Sequence, residues 1–401
     1  MAGAPMVRIF AVFGLGYFLS YSFRSIGPLI APDLASELDL NARELGLLAS
    51  VYFLAFFAAQ PGIGIAMDRF GPARVNAALI AVAAVGAAIF ATAHSLTGLA
   101  IGRGLIGLGI AGALVTAFKA TVIWYPPRYR EALAGALMAI GGLASMATAT
   151  PAEWLMRAVG WRGVFWTLDA LAVIVCALLM LAVPRHQAEA APASAGGFGT
   201  IFRSRIFLSY LPTAFFGSGG FSAIQSLWAG PWLVEVAGLT RAATAQVLLV
   251  YGFSLFVGYL LIALFGARMQ AIPRGPQRWY IASLALAYAA LGLIVSNALP
   301  NSPWPWFAYG VTLGAGMLAY PLMTRAFPTA IAGRVVTAYN TVMFAGGFVI
   351  QAGLGIIIQH LVDGGTARPV AYQVAFGILL AAQVASLIWF VLVSRQGRAP
   401  A

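Results

Sequence analysis

Long apolar runs separated by short polar segments extend over almost the whole chain. A helix needs about 20 mostly apolar residues to cross a bilayer, and the 401-residue sequence holds twelve such runs. The runs are continuously apolar rather than alternating, so they predict helices and not barrel strands. The predicted spans are 8–31, 44–66, 75–93, 97–123, 132–155, 163–183, 206–229, 243–266, 279–298, 304–325, 334–360 and 370–393.

The composition agrees with a membrane-spanning chain. It is 61% hydrophobic and 8% charged, whereas soluble domains average about 25% charged residues. The net charge of +12 would indicate nucleic-acid binding only if the basic residues shared one soluble face, but they are distributed between the apolar runs. The single cysteine, Cys176, excludes a disulfide framework and a cysteine-based zinc site. We therefore expect no nucleic-acid partner, metal or cofactor.

The arginines outside the spans indicate the orientation, because cytoplasmic loops carry an excess of basic residues. Most lie on the side of the N-terminus, and those on the opposite side are Arg43, Arg157, Arg162, Arg241 and Arg368. Both termini are therefore predicted to be cytoplasmic. The first span is longer than a signal peptide and contains Arg24, so we expect it to be retained.

A polar segment, 184–205, separates the sixth and seventh spans and has the Ala, Pro, Gly and Ser content of a flexible linker. It predicts two six-helix halves, 1–183 and 206–401. Three motifs recur in the same order in both halves, and parallel repeats of this kind place a substrate site between the halves near the midplane. The motif pairs are GLGIAG (107–112) with GAGMLA (314–319), WYPPRYR (124–130) with AFPTAIA (326–332), and MAIGGL (138–143) with MFAGGF (343–348).

The segment GIAMDRFGPAR, 64–74, resembles the Gly-x-x-x-Asp-Arg-x-Gly-x-x-Arg signature of the major facilitator superfamily. GRGLIGLGIAG (102–112) and GWRGVFW (160–166) are similar to two further motifs of that family. The resemblance implies an all-α integral membrane fold of twelve transmembrane helices in two pseudo-symmetric six-helix bundles, in a bacterial inner membrane. The residues to which it assigns a role in stabilising the outward-open state are Gly64, Asp68, Arg69, Gly71 and Arg74.

The residue types of this motif also predict local geometry. Gly64 allows two helices to approach closely, and Gly71 permits a tight turn. Asp68 is an acid at a helix end, with Arg69 and Arg74 as possible ion-pair partners. The alternative is a basic loop that only follows the orientation rule.

Five ionisable residues fall within or near the hydrocarbon, all in the first half: Arg24, Arg103, Lys119, Glu153 and Asp169. A charge there costs roughly 2.5–3.5 kcal/mol on insertion scales, so each residue predicts a partner or a function. Pairing of Arg103 with Asp169 or Glu153 would neutralise two charges. Alternatively, one of these acids is a proton-coupling site whose pKa depends on Arg103.

The first span carries a polar stripe, because Tyr17, Ser20, Tyr21 and Arg24 fall within about 100° of one another on a helix. Arg24 either meets a substrate anion or is neutralised by Asp169 or Glu153. Further candidate substrate contacts in the spans are Lys119, Gln225, Tyr320 and Asn340. For Lys119 the alternative is extension of its ammonium to the inner interface or pairing with Glu131 or Asp68, and for Tyr320 and Asn340 it is a hydrogen bond between helices.

Together these features predict a monomeric secondary transporter that moves a small organic anion by alternating access and is coupled to protons. The expected partners are the lipid bilayer, a small-molecule substrate and protons. No phosphate-binding Gly-x-x-x-x-Gly-Lys-Ser/Thr loop occurs, so ATP is not the direct driver, and no Ser/His/Asp constellation indicates an enzyme. The alternatives are efflux of an apolar or cationic compound, made less favourable by the missing Gly-Pro signature in span five, and a membrane sensor on the same fold.

Overall fold

The computed structural model of the chain describes residues 3–126, 129–184, 198–314, 318–327 and 332–396. The structure is all-helical, and two π-helical stretches interrupt the seventh span. The helices are α1 (Gly3–Ser25), α2 (Gly27–Leu38), α3 (Ala42–Phe70), α4 (Pro72–Thr92), α5 (Leu96–Ile110), α6 (Ala113–Trp124), α7 (Arg130–Ala147), α8 (Thr150–Ala182), α9 (Phe198–Phe202), α10 (Arg205–Pro212), α11 (Gly220–Ala223), α12 (Ala229–Glu235), α13 (Arg241–Ala271), α14 (Gly275–Val295), α15 (Trp304–Gly314), α16 (Ala319–Thr324), α17 (Ala332–Asp363) and α18 (Arg368–Gln396).

These helices form the twelve-helix, two-bundle fold that the hydrophobic pattern predicts. Within the described ranges, nine helical stretches are long and apolar enough to cross a membrane. The other three spans are divided into shorter helices, namely span five (α7 and the start of α8), span seven (α10 to α12) and span ten (α15 and α16). Of the predicted linker, 185–197 lie outside the described residues and Phe198–Phe202 forms α9. The division at 184–205 therefore stays a prediction.

The first span breaks between α1 and α2, where Pro28 has no N–H to continue the helical ladder. The guanidinium of Arg103, on α5, donates to the Phe23 carbonyl next to this break, with Nη1 3.0 Å from the oxygen. The Ser25 and Thr148 hydroxyls lie 2.8 Å apart and connect this break to the end of α7. Side chains of neighbouring spans thus satisfy backbone and hydroxyl groups that hydrocarbon could not.

The fourth span also breaks, between α5 and α6 at Ala111 and Gly112. Ser20 donates to the Ile110 carbonyl at 3.2 Å, and the Gln60 amide donates to the Ala111 carbonyl at 3.2 Å. The corresponding repeat motif in span ten ends α15 at Gly314, with 315–317 outside the described residues.

The Gly-Gly pairs of the repeat occupy equivalent environments in the two halves. The first glycine of each pair packs within its own half. A Cβ on Gly141 would lie 3.0 Å from the Tyr17 hydroxyl, and one on Gly346 would lie 2.3 Å from the Phe215 carbonyl oxygen. Span five therefore packs against span one as span eleven packs against span seven.

The second glycine of each pair packs against the opposite half. A Cβ on Gly142 would lie 2.9 Å from the Phe256 side chain, and one on Gly347 would lie 3.3 Å from the Phe53 ring. Spans five and eight, and spans two and eleven, therefore cross between the halves at closely related points.

The halves close upon each other at one end of the bundle, which we call the Asp33 end. Arg241, at the start of α13, donates to the Asp33 carboxylate at 2.9 Å. A Cβ on Gly27 would lie 1.9 Å from the Ser226 carbonyl oxygen, and one on Gly230 would lie 1.8 Å from the Pro28 carbonyl oxygen. Spans one and seven thus meet backbone against backbone at this end.

The described contacts between the halves lie at the Asp33 end or near the middle of the bundle. Gly46 packs against Gly355 at that end, and the Phe56 and Phe344 rings meet at 4.1 Å between centroids near the middle. At the opposite end, a Cβ on Gly64 or Gly135 would meet no atom within 4 Å. Within the described residues, the close backbone approaches between spans one and seven therefore lie at the Asp33 end.

Hydrogen bonds and an ion pair at Glu37 connect α2 to the rest of the first half. The Trp161 indole donates to the Glu37 carboxylate at 2.7 Å, and Arg162 donates to the same carboxylate and to the Ala93 carbonyl. The hydrogen bond from Trp161 and the charge and hydrogen bond of Arg162 lower the pKa of Glu37 below its ordinary value. The segment that carries Asp33 is thus held at both its ends.

We expect Gly230→Ala to disfavour closure of the Asp33 end, because its Cβ would overlap the Pro28 carbonyl oxygen. Overpacking costs about 1–3 kcal/mol, so the equilibrium constant for closure should fall at least about fivefold. The measurement is thiol cross-linking between cysteines placed at the exposed residues Ser36 and Ala242, in a Cys176→Ser background. Gly353→Ala is the matched control, because open space surrounds its Cβ position. Equal cross-linking rates in the two variants would contradict the assigned contact.

Candidate functional site

Arg24 lies at the centre of the candidate site, just before the break in the first span. Its guanidinium carbon lies 4.4 Å from the centroid of the Tyr21 ring. Arg24 is half-buried although Tyr17, Tyr21 and Tyr52 beside it are buried. The guanidinium therefore borders an internal space between the halves.

Tyrosines from both halves surround this guanidinium. Tyr17, Tyr21 and Tyr52 come from the first half, and Tyr259 and Tyr320 from the second half lie within electrostatic range of Arg24. Aromatic walls with hydroxyl groups can surround the body of a small solute while the positive charge attracts an anion.

Tyr21 links the two halves directly through Gln225. Its hydroxyl donates to Oε1 of Gln225 at 3.2 Å and accepts from Nε2 at 3.0 Å. Gln225 lies in the π-helical stretch Ile224–Trp228, and π-helical turns are frequent at functional sites. The Tyr21 side chain therefore connects Gln225 of the second half with Arg24 of the first half.

Tyr320 and Asn340 hydrogen-bond to each other, the Tyr320 hydroxyl donating to Oδ1 of Asn340. Beside them, the Tyr339 ring packs against that of Tyr320 at 4.9 Å, and its hydroxyl lies 3.1 Å from that of Ser218. The hydrogen bond between helices, one of the two alternatives for Tyr320 and Asn340, is thus formed, and both side chains are half-buried.

Arg103 is the second buried guanidinium of the first half, with 3% of its surface exposed. Besides its bond to the Phe23 carbonyl, its guanidinium carbon lies 5.0 Å from the centroid of the Tyr52 ring. An aromatic face and a carbonyl oxygen are both electronegative partners for a cation.

Of the two alternatives for these charges, neutralisation of Arg24 or Arg103 by Asp169 or Glu153 does not occur among the described residues. Glu153 pairs with Arg157, one helical turn further along α8. Neither buried arginine forms an ion pair with a described carboxylate. The reason is direction, because Glu153 lies at the start of α8 with its i+4 neighbour on the same face.

Asp169 lies on α8 beyond the turn at Gly160. It is half-buried and shares a helix face with the buried Phe165 and Ala172. Within the part of the chain that the structure describes, it forms no ion pair or hydrogen bond. A carboxylate in this position can take up a proton without losing an ionic partner.

Lys119 lies on α6 and is half-buried. The break at Ala111 and Gly112 separates it from Arg103, and it lies towards the end of α6 where Tyr125 bonds the Met6 carbonyl. Its place is therefore towards the end of the bundle opposite Asp33 and away from the tyrosines around Arg24.

The predicted turn at Gly71 is present between α3 and α4, with φ of 78°, a conformation that favours glycine. Gly64, in contrast, makes no close helix contact in this structure, because a Cβ there would meet no atom within 4 Å. Arg69 packs over the Phe70 ring at 5.1 Å, and both Arg69 and Arg74 are exposed. The Asp68 side chain lies outside the described residues.

Tyr52 and Tyr259 belong to the site but were not predicted from the sequence. Tyr52 occurs within the apolar run of span two, where a tyrosine reads as an ordinary packing residue. A signal was present, because Tyr52 and the buried Gln60 lie eight residues apart and therefore on one helix face.

The chain matches a family model described as Major Facilitator Superfamily over residues 13–351. It is 24% identical to the hexuronate transporter of Escherichia coli over 436 aligned positions, which cover 95% of this chain and 93% of the relative. A match to the probable sulfoacetate transporter of Cupriavidus necator is 30% identical over 165 residues, 41% of this chain and 38% of the relative. A solved structure of a bacterial homologue of the human lysosomal transporter Spinster, inward-facing and occupied, superposes with a TM-score of 0.76 at 19% identity and covers 98% of both chains.

We expect Gly107→Ala to destabilise the protein, because its Cβ would lie 2.4 Å from the Tyr52 carbonyl oxygen. Overpacking of this kind costs about 1–3 kcal/mol and should lower the melting temperature of the purified protein in detergent. In Gly135→Ala the Cβ meets open space, and the better helix propensity of alanine should leave the melting temperature unchanged or raise it. A melting temperature of Gly107→Ala at or above that of Gly135→Ala would contradict the packing described.

Proposed function

Since this chain belongs to the Major Facilitator Superfamily and is a multi-pass membrane transporter, we propose that it carries a small organic anion by alternating access. The proposal rests on Arg24. Its guanidinium borders an internal space and has no ion-pair partner among the described residues. An intramembrane charge needs compensation, and an anionic substrate supplies it. The absence of a described carboxylate beside Arg24 argues against a cationic substrate.

The relatives support an acidic substrate. One is a hexuronate transporter and another a probable sulfoacetate transporter, and both named solutes are small organic anions. We assign the acid group of the substrate to Arg24, and its body to Tyr17, Tyr21 and Gln225. Tyr320 and Asn340 would contact the same solute from the second half.

The orientation predicted from the arginines makes the Asp33 end the outer end of the bundle in an inner membrane. With that orientation, we infer that this is an inward-facing state, in which spans one and seven close the outer side. The reverse state requires closure at the end that carries Arg69. We propose that the segment 64–74 packs against the second half in that state, which explains why Gly64 faces open space here.

Proton coupling is proposed to use Asp169. α4, which packs against α8, carries no ionisable residue beyond Arg74, and α1 contributes Arg24. Protonation of Asp169 would therefore change the charge balance of the first half without breaking an ion pair. Glu153 is less suitable, because it already forms an ion pair with Arg157, and Arg103 serves as a fixed positive charge.

Arg24→Ala is expected to abolish uptake of the anion while the folded protein is retained. Truncating one partner of a buried charge contact costs about 2 kcal/mol or more, which is at least about thirtyfold in affinity. The measurement is counterflow of sulfoacetate and of glucuronate in proteoliposomes. Arg8→Gln, at an exposed position on α1, is the control and should transport normally. Normal counterflow by Arg24→Ala would refute the anion site.

Asp169→Asn is expected to remove the dependence of uptake on a proton gradient while leaving counterflow intact, because an amide cannot take up a proton. The comparison is uptake of the same anions with and without an inward proton gradient. Asp39→Asn is the control, because Asp39 is an exposed acid in a left-handed helix-end conformation that asparagine also adopts. Gradient-driven uptake by Asp169→Asn that equals the wild type would reject the assignment.

A further inference from the structure

The second half carries charge of one sign at the end of the bundle opposite Asp33. From residue 198 onwards the sequence contains two acids, Glu235 and Asp363. Both lie at the Asp33 end, because α12 and α17 end there. The exposed arginines near the opposite end are Arg203, Arg205, Arg268, Arg274 and Arg278. This surface therefore has a positive charge that no acid of the second half offsets.

An aromatic cluster joins three helices at this end. The Tyr210 ring of α10 lies 5.9 Å from the Tyr280 ring of α14, and the Phe390 ring of α18 lies 4.8 Å and 5.3 Å from them, between centroids. The Tyr280 hydroxyl also donates to Oγ1 of Thr213 at 3.1 Å. These contacts fix the starts of α10 and α14 beside each other.

Arg205 and Arg278 lie just beyond this cluster, on the same side of it. Span seven ends at the Asp33 end and α13 begins there with Arg241, so α10 and α14 both begin at the opposite end. Arg205 precedes Tyr210 by five residues, and Arg278 precedes Tyr280 by two. At the rise of a helix these offsets are about 7.5 Å and about 3 Å. The two arginines are therefore close neighbours at almost the same depth.

The surface around the two arginines is apolar and faces lipid. Ile206, Leu208 and Trp279 beside them are 44%, 41% and 43% exposed. Exposed aliphatic side chains on a membrane-spanning helix contact acyl chains, and tryptophan is enriched at the level of the lipid headgroups. Trp279 directly follows Arg278, so it indicates that the two guanidinium groups lie at headgroup level.

The charge of this surface determines which lipid fits it. Within the described residues, Arg205 and Arg278 form no ion pair. The planar guanidinium group matches the oxygens of a phosphate, to which it donates two parallel hydrogen bonds. A zwitterionic headgroup brings its own cation, which two neighbouring arginines repel. A headgroup with net negative charge has no such cost, so the surface favours an anionic phospholipid.

We propose that the starts of α10 and α14 form a binding site for an anionic phospholipid. Arg205 and Arg278 hold the headgroup phosphate, Trp279 lies at the interface beside it, and the acyl chains lie along Ile206 and Leu208. The site is on the outer surface of the second half, apart from the space beside Arg24, so the inference does not depend on the transported solute. The competing explanation is that these arginines only set the orientation of the chain and prefer no lipid.

The test measures binding of phosphatidylglycerol and of phosphatidylcholine to the purified full chain in detergent, by native mass spectrometry. The wild type should bind phosphatidylglycerol more tightly. In the double variant Arg205→Gln/Arg278→Gln the affinity for phosphatidylglycerol should fall about twentyfold or more, because each arginine near a membrane surface contributes about fivefold. Its affinity for phosphatidylcholine should stay unchanged. The variant Arg205→Lys/Arg278→Lys retains both charges and should keep most of the preference.

Arg8→Gln/Arg43→Gln is the matched control, because it removes the same charge from two exposed positions of the first half. Its affinity for phosphatidylglycerol should stay within about twofold of the wild type. An equal loss in the control would assign the effect to net charge and overturn the inference. Equal binding of the two lipids by the wild type, or a loss in the lysine variant as large as in the glutamine variant, would also overturn it.

Free glycerol phosphate separates a lipid site from a site for a soluble phosphate compound. It carries a phosphate group but no acyl chains, so it should not displace phosphatidylglycerol at equal concentration. Displacement by glycerol phosphate would overturn the lipid assignment. The melting temperature of Arg205→Gln/Arg278→Gln without lipid should equal that of the wild type, because both side chains are exposed. A lower value would show that the arginines stabilise the fold and would contradict a role confined to lipid.

Discussion

A positive charge that must exist in hydrocarbon without a fixed negative partner is the constraint on which the rest of this structure depends. Arg24 and Arg103 are both central to the first half, and neither forms an ion pair within the described residues. Their stabilisation comes instead from aromatic faces and a backbone carbonyl. These partners leave net positive charge, so the interior retains an attraction for an anion that a salt bridge would have cancelled.

The broken helices follow from the same chemistry. A break exposes backbone groups that lipid cannot satisfy, and here the neighbouring spans provide donors at the breaks in spans one and four. Arg103 reaches the break in span one, and Ser20 and Gln60 reach the break in span four. The polar residues of the first half therefore have two uses, since some complete the backbone and others remain available beside the internal space. Which use applies depends on the direction of the side chain.

Hydropathy was sufficient to predict the twelve spans, because each needs only a long apolar run, and Gly71 was predicted to turn because the turn needs a positive φ. The direction in which a side chain points around its helix axis was harder to predict from the sequence. Glu153 and Arg103 both fall in the outer half of their predicted spans, yet Glu153 pairs with Arg157, its own i+4 neighbour on α8. Tyr52 was missed for a related reason, because an apolar run does not reveal that its tyrosine lies against the Arg103 guanidinium. These choices depend on packing between spans that are distant in sequence.

In the proposed alternating-access cycle, the Gly-Gly pairs of spans five and eleven place a static interface and a moving interface one residue apart. Gly141 and Gly346 contact helices of their own half, which travel with them, whereas Gly142 and Gly347 contact the half that must swing away. A side chain at the first position would alter the architecture of one bundle. A side chain at the second position would hinder movement of the two bundles past each other and leave the packing within each bundle unchanged. Of two adjacent residues, the first thus contributes to packing within one bundle, and the second contributes to the contact across which the two bundles would rock.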